Sequence, residues 1–155
     1  MSFDESVGKR LGIVTNLLQL DEQDTFFIFV NEAISRANLE VFVFDADDLS
    51  KDGCVMAKRI DGPITYEIRE DLGERKVRVE IHDFDLVFLK KDPPIDASYE
   101  YLLKTLLQKK IPTVNHAAGV LGMGTKSYLE NFPELTPKTF YSKTIKKTLE
   151  SIKSI

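Results

Sequence analysis

A chain of 155 residues with 43% apolar and 30% charged side chains has the make-up of one soluble globular domain, and at that length about two-thirds of the unfolded surface can be buried without disulfides or metals. A net charge of −4 argues against a nucleic-acid or anionic-membrane surface, which needs clustered excess Lys and Arg. Cys54 is the only cysteine, which excludes an intrachain disulfide and a cysteine-rich zinc site.

The start, Met1-Ser2-Phe3-Asp4-Glu5, lacks the charged and apolar regions of a signal peptide. No apolar run is long enough to span a bilayer, so the expected location is cytoplasmic. Arg10 to Thr15 reads as the first strand, ending at Asn16. The loop 17–23 leads to Asp24, whose carboxylate suits the cap of a helix reaching about Ala37. Phe26, Val30, Ala33, Ile34 and Ala37 give that helix one apolar stripe, and Asn38 suits its left-handed stop. Glu40 to Phe44 follows as a second strand, and strand, helix and strand with short joints make a parallel unit.

The stretch from Cys54 to Ile81 reads as an antiparallel excursion. Turn signals at Asp61-Gly62-Pro63 and near Gly73 separate two alternating segments, Ile64/Tyr66/Ile68 and Val77/Val79/Ile81. Lys58, Arg59, Arg69, Glu70, Arg75 and Arg78 are expected to face water. Leu86 to Leu89 is continuously apolar, which suits a strand covered on both faces. Pro93 and Pro94 end it, placing Asp92 just beyond the carboxyl edge, where ligands bind in open α/β sheets. Asp96 opens a helix with Tyr99, Leu102, Leu103 and Leu106 as its buried stripe, and Ile111 to Val114 gives a short strand. Asn115 to Gly124 is glycine-rich, and a helical turn or two is expected over Thr125 to Asn131, followed by a last helix capped by Ser142 with Ile145, Leu149 and Ile152 apolar. Lys143, Lys146, Lys147 and Lys153 form its solvated face. The predicted fold class is α/β: a Rossmann-like open, mostly parallel sheet flanked by helices, with the excursion at about 54–81. Its parallel strands share one carboxyl edge, so Asn16, Asp45, Asp92 and Asn115 should line a single rim.

Few motifs carry chemistry. Gly119 to Ser127 resembles a phosphate-binding loop, but Thr125 interrupts the required Gly-Lys-Ser spacing, and the plain alternative is a glycine turn. Asp45, Asp47 and Asp48 follow the second strand. As a ribose-binding acid they would need Gly-x-Gly-x-x-Gly after the first strand, which is absent; as a phosphoacceptor cluster they would need a lysine and hydroxyls that the sequence does not place. His82 and His116 have no Cys or second His at ligand spacing, so no metal site is expected. No Ser-His-Asp arrangement is supported.

Lys90-Lys91-Asp92-Pro93-Pro94-Ile95-Asp96 resembles the Arg-Lys-Asp-Pro-Pro-Phe-Asp run of the amino-terminal part of prokaryotic glutathione synthetases. Leu11-Gly12-Ile13-Val14, Asp24-Thr25-Phe26-Phe27 with Glu32-Ala33, Val114-Asn115 and Leu135-Thr136-Pro137-Lys138-Thr139 fall at that family's spacing. The resemblance covers nearly the whole chain and implies a single pre-ATP-grasp domain over 1–155. In that family an ATP-grasp domain follows, whose Lys-Pro strand and glycine-rich lid hold ATP and magnesium; this chain ends at Ile155 before any of it.

The resemblance also implies site residues. Lys126 falls at a lysine that reaches ATP phosphates, where an ammonium offsets charge on the transferring phosphoryl group. Around it the family's proline, arginine and Asn-Glu pair are replaced by Ala117, Leu121 and Gly124-Thr125, and a lone surface lysine is the alternative. Asn16-Leu17 stands where the family has an Asp-Pro in its substrate-side wall. Asp92 stands at the family's matching aspartate, and the two readings for it are contact with a peptide substrate's amine and the cap of a turn through its own backbone. Asn115 stands at the matching strand end. The substrate-binding candidates are therefore Asn16, Asp92 and Asn115, with no catalytic residue and no metal ligand in this chain. The expected partners are further copies of the chain or an ATP-grasp domain in cis or in trans, with a small peptide as substrate and neither nucleic acid nor membrane. ATP and magnesium are expected only when such a domain completes the site. The implied function is the substrate-side or assembly domain of a ligase joining γ-glutamylcysteine to glycine through an acyl phosphate, inactive alone. A free-standing, non-catalytic binding or oligomerisation module derived from the family is the alternative, and an unrelated Rossmann-like binder rests on fold alone.

Overall fold

The computed structural model describes residues 8–35, 39–91, 95–124, 132, 134–135 and 144–153. Its β-rich segments join in one six-stranded sheet: β1 (Lys9–Val14), β2 (Leu39–Phe44), β3 (Cys54–Ile60), β4 (Val77–Glu80), β5 (Leu86–Leu89) and β6 (Thr113–Val114), in the order β4-β3-β2-β1-β5-β6. β1 lies parallel to β2 and to β5, and β5 parallel to β6. β3 runs antiparallel to β2, and β4 antiparallel to β3. The α/β class with an antiparallel excursion is the one the sequence predicts.

Alternation along the strands divides the interior into two cores. Ile13, Val41 and Val43 point to one face with Phe26 and Val30 of α1 (Thr25–Ser35). Val14, Phe42, Phe44, Val87 and Leu89 point to the other with Leu102, Leu103 and Leu106 of α2 (Ala97–Gln108). Both helices start on the predicted aspartates: Phe26 N–H donates to Asp24 Oδ1 at 2.8 Å, and Tyr99 N–H to Asp96 Oδ1 at 2.7 Å. The predicted stripe of α2 is fully buried. Phe26 and Val30 are also fully buried, while Ala33 and Ile34 pack at the margin; Ala37 and Asn38 lie outside the described residues. β5 is covered on both sides as expected, because Val87 and Leu89 face α2 while Phe88 meets Phe29 of α1 edge to face at 4.9 Å.

Gly12 shows how tightly the α2 side is packed. A Cβ there would lie 2.9 Å from Phe44 Cε1 and 3.3 Å from Phe84 Cδ1, two rings stacked with centroids 5.6 Å apart. Gly12→Ala is therefore expected to cost about 1–3 kcal/mol, read as a lower urea midpoint with unchanged slope; an unchanged midpoint would show that the rings move aside freely.

Three expectations are corrected. Ile64, Tyr66 and Ile68 do not form a strand but enter two 3-10 turns, Tyr66–Ile68 and Glu70–Gly73. The reason lies on α1: Asn31 accepts from Ile64 N–H at 2.7 Å and donates to Ile64 C=O at 2.9 Å, taking both backbone groups that a neighbouring strand would use. The excursion's strands are instead β3 and β4, and Ile81 begins a further 3-10 turn, Ile81–Asp83. Second, Arg69 and Lys58 are half-buried rather than facing water; Arg69 donates to Leu20 C=O at 3.2 Å and lies over the Tyr66 ring. Third, the glycine-rich stretch after Asn115 is mostly helix, α3 (Ala117–Met123). Ala117, Val120 and Leu121 pack against the α2 core at helical spacing, which offsets the roughly 1 kcal/mol that each helical glycine costs. The predicted turns over 125–131 and the cap Ser142 lie outside the described residues. A last helix is present as α4 (Ile145–Lys153), with Ile145 and Leu149 exposed. Among the described residues no helix is long and apolar enough to cross a membrane.

Candidate substrate rim

The four parallel strands β2, β1, β5 and β6 end on the same edge of the sheet, and each delivers polar side chains there. β2 ends at Asp45, β1 at Thr15-Asn16, β5 at Lys90-Lys91 and β6 at Asn115. Backbone bonds carry the ladder into the rim: Thr15 N–H donates to Phe44 C=O at 3.1 Å, and Lys90 N–H to Val14 C=O at 2.8 Å. Asn16, Asp45 and Asn115 thus share the predicted rim. Asp92 and Lys126 lie outside the described residues.

Each rim group has a definite hold. Asn16 Oδ1 accepts from Leu18 N–H at 3.3 Å and starts a short 3-10 turn, Leu17–Gln19. Asn115 adopts a φ of 58°, which asparagine tolerates better than most residues, and its Nδ2 donates to Leu89 C=O at 2.8 Å, tying the end of β6 to that of β5. Asp45 Oδ1 accepts from Ala46 N–H at 2.6 Å, while Asp48 Oδ2 accepts from Asp45 N–H at 2.8 Å. This reciprocal cap shapes the turn Ala46–Asp48.

Two lysines that sequence reasoning passed over give the rim its charge. Lys90 Nζ lies 3.2 Å from Asp24 Oδ1, and the two flank a small depression lined also by Thr15, Asn16, Gln19 and Leu20. Lys91 is the more constrained, with a side chain only 6% exposed; its Nζ lies 2.7 Å from Asp45 Oδ1 and 3.5 Å from Asp96 Oδ2. Burial is the largest single influence on this ammonium and pulls its pKa down, but the hydrogen bond and charge of Asp45, with the charges of Asp96 and Asp47, override it and raise the pKa above the usual lysine value. Asp96 is held below the usual carboxylate range, first by the Tyr99 amide and then by Lys91. The available signal was a basic pair directly after a buried strand at the carboxyl edge.

Two of the three acids after β2 are explained by lysine partners. Asp45 belongs to Lys91, and Asp48 to Lys76, whose Nζ is 2.6 Å from both of its oxygens. Among the described residues no group of three or more His, Cys, Asp or Glu side chains is arranged to hold a metal. What the rim offers chemically is recognition: the Asn16 amide and the Lys90 ammonium border one depression, and Asn115 stands two strands away, past the end of β5.

The family profile described as prokaryotic glutathione synthetase, N-terminal domain, matches residues 12–120. That span includes Asn16, Asp45, Asp92 and Asn115 and stops short of Lys126. The glutathione synthetase of Brucella melitensis is 31% identical over 126 residues, covering 77% of this chain and 39% of that protein. That of Mesorhizobium japonicum is 32% identical over 129 residues, with 77% and 39% covered, and that of Vibrio parahaemolyticus 27% identical over 148 residues, with 89% and 46% covered. The chain thus spans less than half the length of these curated relatives. With its profile match running from β1 into α3 and covering most of the sheet, this chain belongs to the family of prokaryotic glutathione synthetase N-terminal domains.

Proposed function

We propose that this domain forms the substrate-side wall of an ATP-dependent carboxylate–amine ligase of the glutathione synthetase type, acting in the cytoplasm. It works with an ATP-grasp domain supplied in cis or in trans and with further copies of itself. The observation that carries this reading is the shared rim: Asn16 and Lys90 border one depression, and Asn115 lies on the same carboxyl edge of the sheet, all inside the family match. In the proposed reaction γ-glutamylcysteine is activated as an acyl phosphate and attacked by the amine of glycine, and Asn16, Asp92 and Asn115 bind the peptide.

The described residues do not themselves fit ATP and magnesium. A magnesium ion bridging phosphates is held by carboxylates, and the rim acids Asp24, Asp45 and Asp48 are each engaged by a lysine of the same chain. Phosphoryl transfer depends on positioning and charge compensation from more than one side. ATP and magnesium therefore belong to the ATP-grasp half, with Lys126 as this chain's one candidate phosphate contact.

The 155-residue polypeptide by itself is accordingly expected to neither hydrolyse ATP nor make glutathione. The test is titration of Mg-ATP against the wild type and Lys126→Ala, followed by a product assay with γ-glutamylcysteine and glycine. Turnover above a blank would sink the half-site reading. Binding by the wild type that is lost in Lys126→Ala would support the phosphate contact.

One observation favours the second reading, a non-catalytic binding or oligomerisation module: Lys90, Lys91 and Asp45 already satisfy one another or Asp24 within the chain. Failure of the peptide substrate to bind even with an ATP-grasp partner present would move the assignment there.

A further inference from the structure

Among the described residues the sheet ends on β4, with no strand beyond it. The β3–β4 ladder decides which backbone groups of β4 are left over. Ile81 N–H donates to Gly53 C=O at 3.0 Å, and the register pairs Val79 with Val55 and Val77 with Ala57. By the alternation of an antiparallel pair, Val77, Val79 and Ile81 turn their N–H and C=O groups toward β3, while Arg78 and Glu80 turn theirs away from it. An edge of this kind is a template for another strand.

We propose that β4 pairs antiparallel with β4 of a second copy of this chain, about a two-fold axis at Val79. The charges select this register. A ladder forms only where outward-facing residues lie opposite one another. Centred on Arg78, it sets guanidinium against guanidinium and offers Glu80 only Lys76, which is committed to Asp48. Centred on Glu80, it sets carboxylate against carboxylate. Centred on Val79, it places each Arg78 opposite the Glu80 of the other copy, so opposite charges meet twice. Both side chains have a partner in their own chain, Arg78 in Asp52 and Glu80 in His82, but these pairs lie at the surface, with Arg78 63% and Glu80 60% exposed against 19% for Lys76, and can be shared with or exchanged for the cross-strand pair. On the other face of the strand the same register sets Val77, 46% exposed, opposite Ile81 of the second copy and extends the apolar row. An edge charged in this way resists pairing in its other registers and accepts it in one.

The ladder gives four backbone hydrogen bonds over a small area, so association is weak and appears at micromolar and higher concentration. This deepens the self-association proposed above and is independent of ATP chemistry. Sedimentation velocity over a concentration series tests it with the wild type, Arg78→Glu, Glu80→Arg and the double exchange. Each single reversal is expected to raise the dissociation constant by about tenfold or more, and the double exchange to return it to within about threefold of wild type. Melting temperatures confirm that each variant is folded. In the wild type, hydrogen exchange at the Arg78 and Glu80 amides should slow as concentration rises. A wild type that stays monomeric at high micromolar concentration overturns the proposal, as does a dimer whose Arg78 and Glu80 amides exchange independently of concentration, or a folded double exchange that fails to recover association.

Discussion

Val87→Asp is expected to leave the domain unfolded. Val87 is fully buried at the middle of β5, between Gly12 of β1 and Thr113 of β6, and its side chain enters the α2 core. A carboxylate there would have no cationic partner in that apolar cluster, and burying an unpaired polar or charged group costs several kcal/mol. That is comparable with the whole stability of a typical domain, about 5–15 kcal/mol. Loss of the cooperative thermal transition, with exposure of apolar surface to a dye, is the expected readout. A soluble variant melting at the wild-type temperature would refute the doubly covered strand.

Replacement of Lys91 by Met should be the second most damaging change, lowering stability by about 2–3 kcal/mol. The methylene stem is kept, but Asp45 loses its ammonium in a site where Lys91 itself is only 6% exposed, and removing one partner of a buried pair leaves the other charge uncompensated. Adding Asp45→Asn should recover part of the loss, because the amide still caps the turn at Ala46 and no bare charge remains. The pH dependence follows from the two shifts. The folded pKa of Lys91 is raised, so its contribution is complete below the usual lysine value and is lost as pH rises beyond that value through the folded pKa. The folded pKa of Asp96 is lowered, so its contribution is complete above the usual carboxylate range and is lost as pH falls below it. The difference in stability between wild type and Lys91→Met should therefore be flat from about pH 5 to 9 and shrink at both extremes. Urea titrations across that range test it, and a difference that grows toward low pH would contradict the assignment.

These two sites mark what was legible in advance. Val87 was readable because four consecutive apolar residues, closed by a charged pair and two prolines, encode a buried strand locally. The same holds for α2, where Asp96 and the spacing of Tyr99, Leu102, Leu103 and Leu106 signal start and buried face within one short window. Placing Asn16, Asp45 and Asn115 on one rim needed only the inference that their strands run parallel.

Lys91 was not legible, because nothing adjacent in the chain distinguishes it from Lys90. It is buried because β2 and β5 flank β1, which brings Asp45, 46 residues earlier, within 2.7 Å. The stretch Ile64 to Ile68 has the alternation of a strand, yet the amide of Asn31 takes up both backbone groups of Ile64 from 33 residues away. The glycines after Asn115 read as a turn, yet Ala117, Val120 and Leu121 find an apolar surface beneath α2 and the segment closes into a helix. By itself, then, the sequence determined the first parallel strands, the two aspartate-capped helices, the buried strand β5, the carboxyl rim and the family, because continuous apolar runs, caps and prolines act over a few residues. The tertiary structure alone decided the order β4-β3-β2-β1-β5-β6, with β4 outermost among the described residues, and the burial of Lys91, because each depends on which distant segments meet, and that is set by the packing of the whole sheet rather than by any local run.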